Sequence, residues 1–194
     1  MARHQTTHTG LLLLAGFLIS YAVITEYPVA LIAGGIFLYA LYKLPHKFST
    51  ARALIIGGLV PVIAWMTYTY FIFGKPIAFA YLHTPLYQDK NNVGFFSLTY
   101  PHFEWLWGIT FGSYRGLFFL CPVLLLAIPG FYYFYRRRDL RAEFTVCFYS
   151  VVAMFLFNGS SVMWQGGFAV GPRYLVPMLP FMVLSIIFFI NRYG

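Results

Sequence analysis

The chain has 194 residues, of which 60% are hydrophobic, 22% aromatic and only 9% charged. Soluble domains carry about 25% charged residues, so too little polar surface remains to cover a core in water, and we predict an all-α integral membrane protein. The formal net charge of +8 comes from basic residues that cluster at the ends of apolar runs. They do not follow one amphipathic face, which excludes nucleic acid as a partner.

The N-terminal part of the chain predicts a helical hairpin. Residues 10–25 and 29–44 are apolar, and Glu26-Tyr27-Pro28 interrupts them. Each run is slightly shorter than the roughly 20 residues that cross a bilayer core, and Pro28 suits the first turn of a returning helix. The alternative is one long, kinked span over residues 10–44.

Four further spans are predicted after the hairpin. They are separated by a basic connector, a long loop rich in Gly, Pro and aromatic residues, a second connector with four arginines, and a polar Gly-rich loop. The spans cover residues 53–73, 117–135, 143–158 and 175–191, and the two loops cover 74–116 and 159–174. The sequence therefore predicts a polytopic protein with about six transmembrane helices in one domain, 1–194.

The positive charges predict the orientation. With six spans, nine of the thirteen Lys and Arg residues lie on the same side as the N-terminus, whereas Lys75, Lys90, Arg115 and Arg173 lie on the other side. Because cytoplasmic loops carry the excess of Lys and Arg, we expect both termini in the cytoplasm. The loops 74–116 and 159–174 are then the outer loops.

Two arginines lie where an outer loop turns into a span. Arg115 follows Gly112-Ser113-Tyr114, and Arg173 follows Gly171-Pro172. A guanidinium is a planar fork of donors that suits phosphate, and helix entrances favour anions. We predict that these arginines bind a phosphate or an anionic headgroup. The alternative is that each one contacts bulk lipid headgroups or pairs with an acidic residue of the loops.

Three other outer residues are candidates for substrate binding. Trp164 and Gln165, beside Gly166-Gly167, offer a stacking face and amide donors for a sugar. Glu26, at the tip of the hairpin, is either a base or acceptor-binding group or a plain helix cap.

The histidines and cysteines predict no metal site, and we expect no cofactor. His83 and His102 have no ligand spacing and are interpreted as solvated loop residues, and Cys121 and Cys147 as buried structural thiols. The aromatic residues of loop 74–116 indicate a loop on the membrane surface with a short interfacial helix near 102–111. This surface either anchors the fold or binds lipid or sugar.

Motifs at five places between residues 10 and 185 share a family resemblance. They are Thr25-Glu26-Tyr27-Pro28, Phe73-Gly74-Lys75-Pro76, Ser113-Tyr114-Arg115-Gly116-Leu117-Phe118, Trp164-Gln165-Gly166-Gly167 and Gly171-Pro172-Arg173-Tyr174-Leu175-Val176-Pro177. Together they resemble the C-terminal half of bacterial C-type glycosyltransferases, the protein O-mannosyltransferase-like class.

The resemblance implies sugar transfer from a polyprenyl-phosphate carrier at the outer face of a bacterial inner membrane. Arg173 and Arg115 would match positions suited to the carrier phosphate, and Tyr174, which follows Arg173, is a further candidate for substrate binding. Members of the family have more spans and place their catalytic acid in the first outer loop. We therefore expect this chain to be either a fragment of a longer protein or a truncated homologue, inactive by itself and with no catalytic residue assigned.

The partners expected from this resemblance are membrane lipids and the polyprenyl-phosphate sugar donor, and no oligomeric state is assigned. The alternative function is a non-enzymatic membrane module that binds lipid headgroups, such as a flippase-like or assembly subunit.

Overall fold

The computed structural model describes residues 9–79, 88–91, 93–94, 97–167 and 169–193, and this part of the chain is helical. His83 lies outside the described residues. The chain forms two compact units, Met1–Ala80 and Tyr81–Gly194, and each is described by itself.

The described part of unit 1, residues 9–79, contains three helices. They are α1 (Thr9–Thr25), α2 (Val29–Lys43) and α3 (Lys47–Phe73). Gly74 ends α3 in the left-handed conformation (φ 68°), and its N–H donates to the carbonyl of Tyr70, a common way for a helix to end. Helix α3 begins at Lys47, inside the basic connector that precedes the apolar run 53–73. The polar residues of this connector are compatible with a helix although they lie outside the apolar run.

Helices α1 and α3 pack in parallel. The contacts advance along both helices in the same direction. Gly16 lies against Leu54, and Ser20, four residues further along α1, lies against Gly58, four residues further along α3. At the far end the ring of Tyr27 contacts that of Trp65, with centroids 6.3 Å apart. Because α1 and α3 run in the same direction, α2, which joins them along the chain, runs in the opposite direction. This is the predicted hairpin rather than one long kinked helix.

Glycines bring α1 and α3 into backbone contact. A Cβ added at Gly16 would overlap the carbonyl group of Leu54, and one added at Gly57 would overlap that of Leu13. Small residues that let two helix backbones touch are typical of helix pairs in membranes, where association depends on close packing. The packing of this pair therefore depends on the absence of side chains at these two positions.

Unit 2 contains a longer series of helices. The α-helices are α4 (Gln88–Asn91), α5 (Phe103–Thr110), α6 (Leu117–Leu120), α7 (Ala127–Arg136), α8 (Arg141–Gly159) and α9 (Leu179–Tyr193), with 3₁₀ helices at Pro122–Leu126, Arg138–Leu140 and Arg173–Met178. The predicted span 117–135 is interrupted at Cys121 (φ −138°, ψ 77°). The residue before a proline disfavours the α conformation, and Pro122 follows.

Helices α7 and α9 also pack in parallel. Gly130 lies against the backbone of Ser185, and one turn further the rings of Phe134 and Phe188 stack with centroids 4.1 Å apart. The buried hydroxyl of Ser185 donates to the carbonyl of Ala127 (3.3 Å). The two helices therefore end at the same end of unit 2, and α8, which joins them along the chain, runs in the opposite direction.

Among the described residues, three helical segments are long and apolar enough to cross a membrane. They are Lys47–Phe73, Arg138–Gly159 and Arg173–Arg192, while Thr9–Thr25 and Val29–Lys43 are shorter apolar helices. Large apolar side chains on α3 are exposed, among them Val60 and Phe71. The all-α prediction is confirmed for the described residues, and three candidate membrane spans support the membrane class.

Candidate anion-binding loop

The two predicted outer loops join along their backbones in unit 2. The N–H of Thr99 donates to the carbonyl of Ser160 (2.8 Å), that of His102 to Gly159 (2.9 Å), and that of Val162 to Ser97 (2.9 Å). The segment 97–102 therefore lies beside the start of loop 159–174, at the C-terminal end of α8. Residues far apart in the sequence therefore form one layer, and we use the name loop layer for the described residues of 97–116 and 159–174.

Arg115 is buried beneath the second loop, with only 4% of its surface exposed. Its Nη1 donates to the carbonyl of Gly171 (3.2 Å), and its Nη2 donates to the carbonyl of Gly167 (2.8 Å). Nη2 also reaches the hydroxyl oxygen of Tyr114 at 3.1 Å. One guanidinium therefore holds two points of the loop through its Nη atoms, and these hydrogen bonds offset part of the cost of burying its charge. Its buried Nε has no hydrogen-bond partner among the described residues.

Two glycines shape the loop between Trp164 and Arg173. Gly166 and Gly167 both adopt left-handed backbone conformations, with φ of 72° and 70°, which glycine adopts without steric cost. A Cβ at Gly166 would lie 3.2 Å from Cγ of Arg173. The pair reverses the chain so that the stem of Arg173 rests on Gly166.

Arg173 is exposed at the start of the 3₁₀ helix Arg173–Met178. Its guanidinium carbon lies 5.0 Å from the centroid of the Tyr174 ring, a cation–π distance. Its backbone N–H donates to the carbonyl of Gly171 (2.8 Å), which also accepts the hydrogen bond from Arg115. This shared carbonyl couples the buried arginine to the position of the exposed one.

Trp164 packs within the loop layer. The edge of its six-membered ring lies over Gly108 of α5, where a Cβ would come within 2.8 Å. Its carbonyl accepts a hydrogen bond from Nδ2 of Asn158 (3.4 Å). Both Trp164 and Gln165 are partly exposed, so each retains some surface that a ligand can reach.

Asn158 is a residue that the sequence interpretation missed. It is fully buried at the end of α8, and its Oδ1 has no hydrogen-bond partner among the described residues. A buried amide oxygen of this kind is costly unless it binds something. The only signal in the sequence was an asparagine at the end of an otherwise apolar run.

Two further polar candidates, His102 and Glu26, have different surroundings. The His102 ring lies between Tyr100 and Trp105, with centroids 4.1 and 3.9 Å away. Glu26 is partly buried in the turn between α1 and α2, where its carbonyl accepts a hydrogen bond from the N–H of Val29 (3.0 Å). The structure therefore brings five predicted site residues into one loop layer of unit 2, namely Arg115, Trp164, Gln165, Arg173 and Tyr174, whereas Glu26 belongs to unit 1.

The layer presents positive charge on a loop that is held by hydrogen bonds. Arg173 supplies an exposed guanidinium, Tyr174 supports it, and Arg115 fixes the loop from below. Such a group can hold a phosphate through charge-assisted hydrogen bonds.

Fold and site together define an all-helical chain with candidate membrane spans and an arginine-bearing loop. No protein-family model, no curated protein and no solved structure matches this chain.

Proposed function

We propose that this chain is the carrier-binding portion of an integral-membrane glycosyltransferase that takes its sugar from a polyprenyl phosphate. The observation that carries the proposal is the arrangement of Arg173, an exposed guanidinium held on a loop that a buried arginine fixes. The motif resemblance supplies the ligand class, and the loop geometry is compatible with a phosphate.

The proposed orientation in the membrane follows the charge distribution. Six crossings place both termini in the cytoplasm and the Arg173 loop at the outer face of a bacterial inner membrane. Within each unit the parallel pairs, α1 with α3 and α7 with α9, are compatible with crossings that alternate in direction.

The reaction would be an inverting displacement at the anomeric carbon of the sugar. The bond from that carbon to the carrier phosphate oxygen breaks as the acceptor oxygen attacks from the opposite face, and the acceptor loses its proton to a base. Negative charge develops on the departing phosphate, and the guanidinium of Arg173 stabilises that charge. We assign the base to no residue of this chain.

Arg115 and Arg173 receive different roles in this proposal. Arg115 is a positioning residue, because its Nη atoms donate to carbonyl and hydroxyl oxygens within unit 2. Arg173 contacts the phosphate directly, since it is the exposed one of the two. Trp164 and Gln165 form the adjoining surface for the sugar, and Glu26 is a candidate for acceptor binding.

The test is binding of a short-chain polyprenyl-phosphate hexose to the purified chain in phosphatidylcholine nanodiscs. We expect Arg173→Ala to raise Kd roughly 10- to 100-fold, the effect of losing a charge-assisted hydrogen bond of about 1.5–3 kcal/mol. Arg138→Ala is the matched control, because Arg138 is another exposed arginine at a 3₁₀ start. It should leave Kd within about threefold, as expected for a distant surface charge.

Two outcomes would contradict the proposal. Equal effects of Arg173→Ala and Arg138→Ala would remove the specific role of Arg173. If phosphatidylglycerol competes for the site as effectively as the polyprenyl-phosphate hexose does, the alternative is favoured, namely a module that binds lipid headgroups without transferring sugar.

A further inference from the structure

A cavity lies at the C-terminal end of α9, away from Arg173. This cavity of about 650 Å³ opens at the C-terminal ends of α7 and α9, lined by Tyr132, Tyr133, Arg136 and Arg192. Arg173 and Arg192 bound one helical segment, whose length of about 30 Å at 1.5 Å per residue separates the two regions. Small-molecule sites typically measure 300–1,000 Å³, so this cavity can hold a headgroup.

The parallel packing of α7 and α9 creates this cavity. Because both helices run in the same direction, their last turns lie side by side and bring Arg136 close to Arg192. The guanidinium carbon of Arg136 lies 5.9 Å from the centroid of the Tyr132 ring, and the ring of Tyr133 packs on Phe189 with centroids 6.3 Å apart. The cavity therefore has two cationic and two aromatic side chains on a packed base.

The charge at this end of unit 2 is positive and incompletely neutralised. Arg137 pairs with Asp139, with Nε to Oδ1 at 3.1 Å. Within the part of the chain that the structure describes, Arg136 and Arg192 form no ion pair. Five positive and two negative side chains give a local net charge of +3, counted over Arg136, Arg137, Arg138, Arg141 and Arg192 against Asp139 and Glu143.

We propose that this cavity binds the phosphate-bearing headgroup of an anionic phospholipid. Two guanidinium groups are suited to a phosphate diester, and tyrosine rings prefer the boundary between lipid and water. The apolar segment that ends at Arg192 would place the cavity at headgroup depth. Basic pockets between membrane helices bind anionic headgroups in this way.

The test measures binding of phosphatidylglycerol to the whole chain by native mass spectrometry from phosphatidylcholine nanodiscs. We expect the double variant R136Q/R192Q to weaken binding of one phosphatidylglycerol molecule roughly tenfold or more, because it removes charge-assisted hydrogen bonds. The matched control R138Q/R141Q removes the same charge from the same end of unit 2, at two arginines that do not line the cavity. It should weaken binding about fivefold or less.

Three results would overturn the assignment. Equal losses in the two double variants would mean that only the diffuse positive charge attracts lipid. Equal retention of phosphatidylcholine by the wild type would exclude a preference for anionic headgroups. If free glycerol 3-phosphate binds through Arg136 and Arg192 and phosphatidylglycerol does not, the ligand is a soluble phosphate instead. These results concern Arg136 and Arg192, so they leave the proposed role of Arg173 untouched.

Discussion

The contact between α1 and α3 predicts opposite effects for one substitution at two helical glycines. A Cβ at Gly16 would lie 2.8 Å from the carbonyl carbon of Leu54 and 2.9 Å from its Cα. A Cβ at Gly34 of α2 would meet no atom of the described residues within 4 Å. Both glycines lie inside helices, so Gly→Ala gains helix propensity at each. Gly34→Ala is therefore a matched control for Gly16→Ala.

The magnitudes follow from two opposing terms. Alanine is about 1 kcal/mol more favourable than glycine in a helix interior, and at Gly34 this gain has nothing to oppose it. At Gly16 the added methyl meets backbone, which cannot rotate away, and overpacking of this kind costs about 1–3 kcal/mol. We expect Gly16→Ala to be less stable than Gly34→Ala by about 1–3 kcal/mol.

Thermal unfolding of the detergent-solubilised protein, followed by fluorescence size-exclusion chromatography, measures this difference. For a chain of this size 1 kcal/mol corresponds to about 2–4 °C in Tm, so Gly16→Ala should melt roughly 2–12 °C below Gly34→Ala. A Gly16→Ala protein that melts at or above the Gly34→Ala protein would refute the close approach of α1 and α3.

Two further predictions concern the loop layer and the membrane orientation. Arg115→Gln should lower Tm by roughly 6–24 °C, because it removes two hydrogen bonds from a buried charge, each worth about 1.5–3 kcal/mol, and 1 kcal/mol corresponds to about 2–4 °C. Arg137→Gln, which removes an exposed ion pair, should change Tm by less than about 4 °C. Equal shifts of Tm in the two variants would contradict the role of Arg115 in holding the loop. Alkaline phosphatase, which is active only outside the cytoplasm, should be active when fused after Gly74 and inactive when fused after Pro45 or Arg138, and the reverse pattern would contradict the proposed orientation.

Several helices could be predicted from the sequence almost to the residue. The apolar runs 10–25 and 29–44 correspond to α1 at Thr9–Thr25 and α2 at Val29–Lys43, because Glu26-Tyr27-Pro28 marks the break locally. The run 143–158 corresponds to α8 at Arg141–Gly159. The short helix expected near 102–111 is α5, at Phe103–Thr110.

Other boundaries depended on signals that hydropathy does not contain. Helix α3 starts at Lys47 rather than at residue 53, since polar residues can continue a helix beyond its apolar part. The run 117–135 is interrupted at Cys121, because the backbone restriction before Pro122 does not alter the apolar character of the run.

The sequence by itself determined the helical class, the positions of the apolar segments and the presence of arginines at two loop ends. These properties depend on composition and on neighbours along the chain. Only the tertiary structure separated Arg115, buried beneath the carbonyls of Gly167 and Gly171, from the exposed Arg173. It alone brought Arg136 and Arg192 to one cavity. The physical reason is that burial and hydrogen-bond partners come from residues distant in the chain, and two arginines in similar local sequences can meet opposite surroundings.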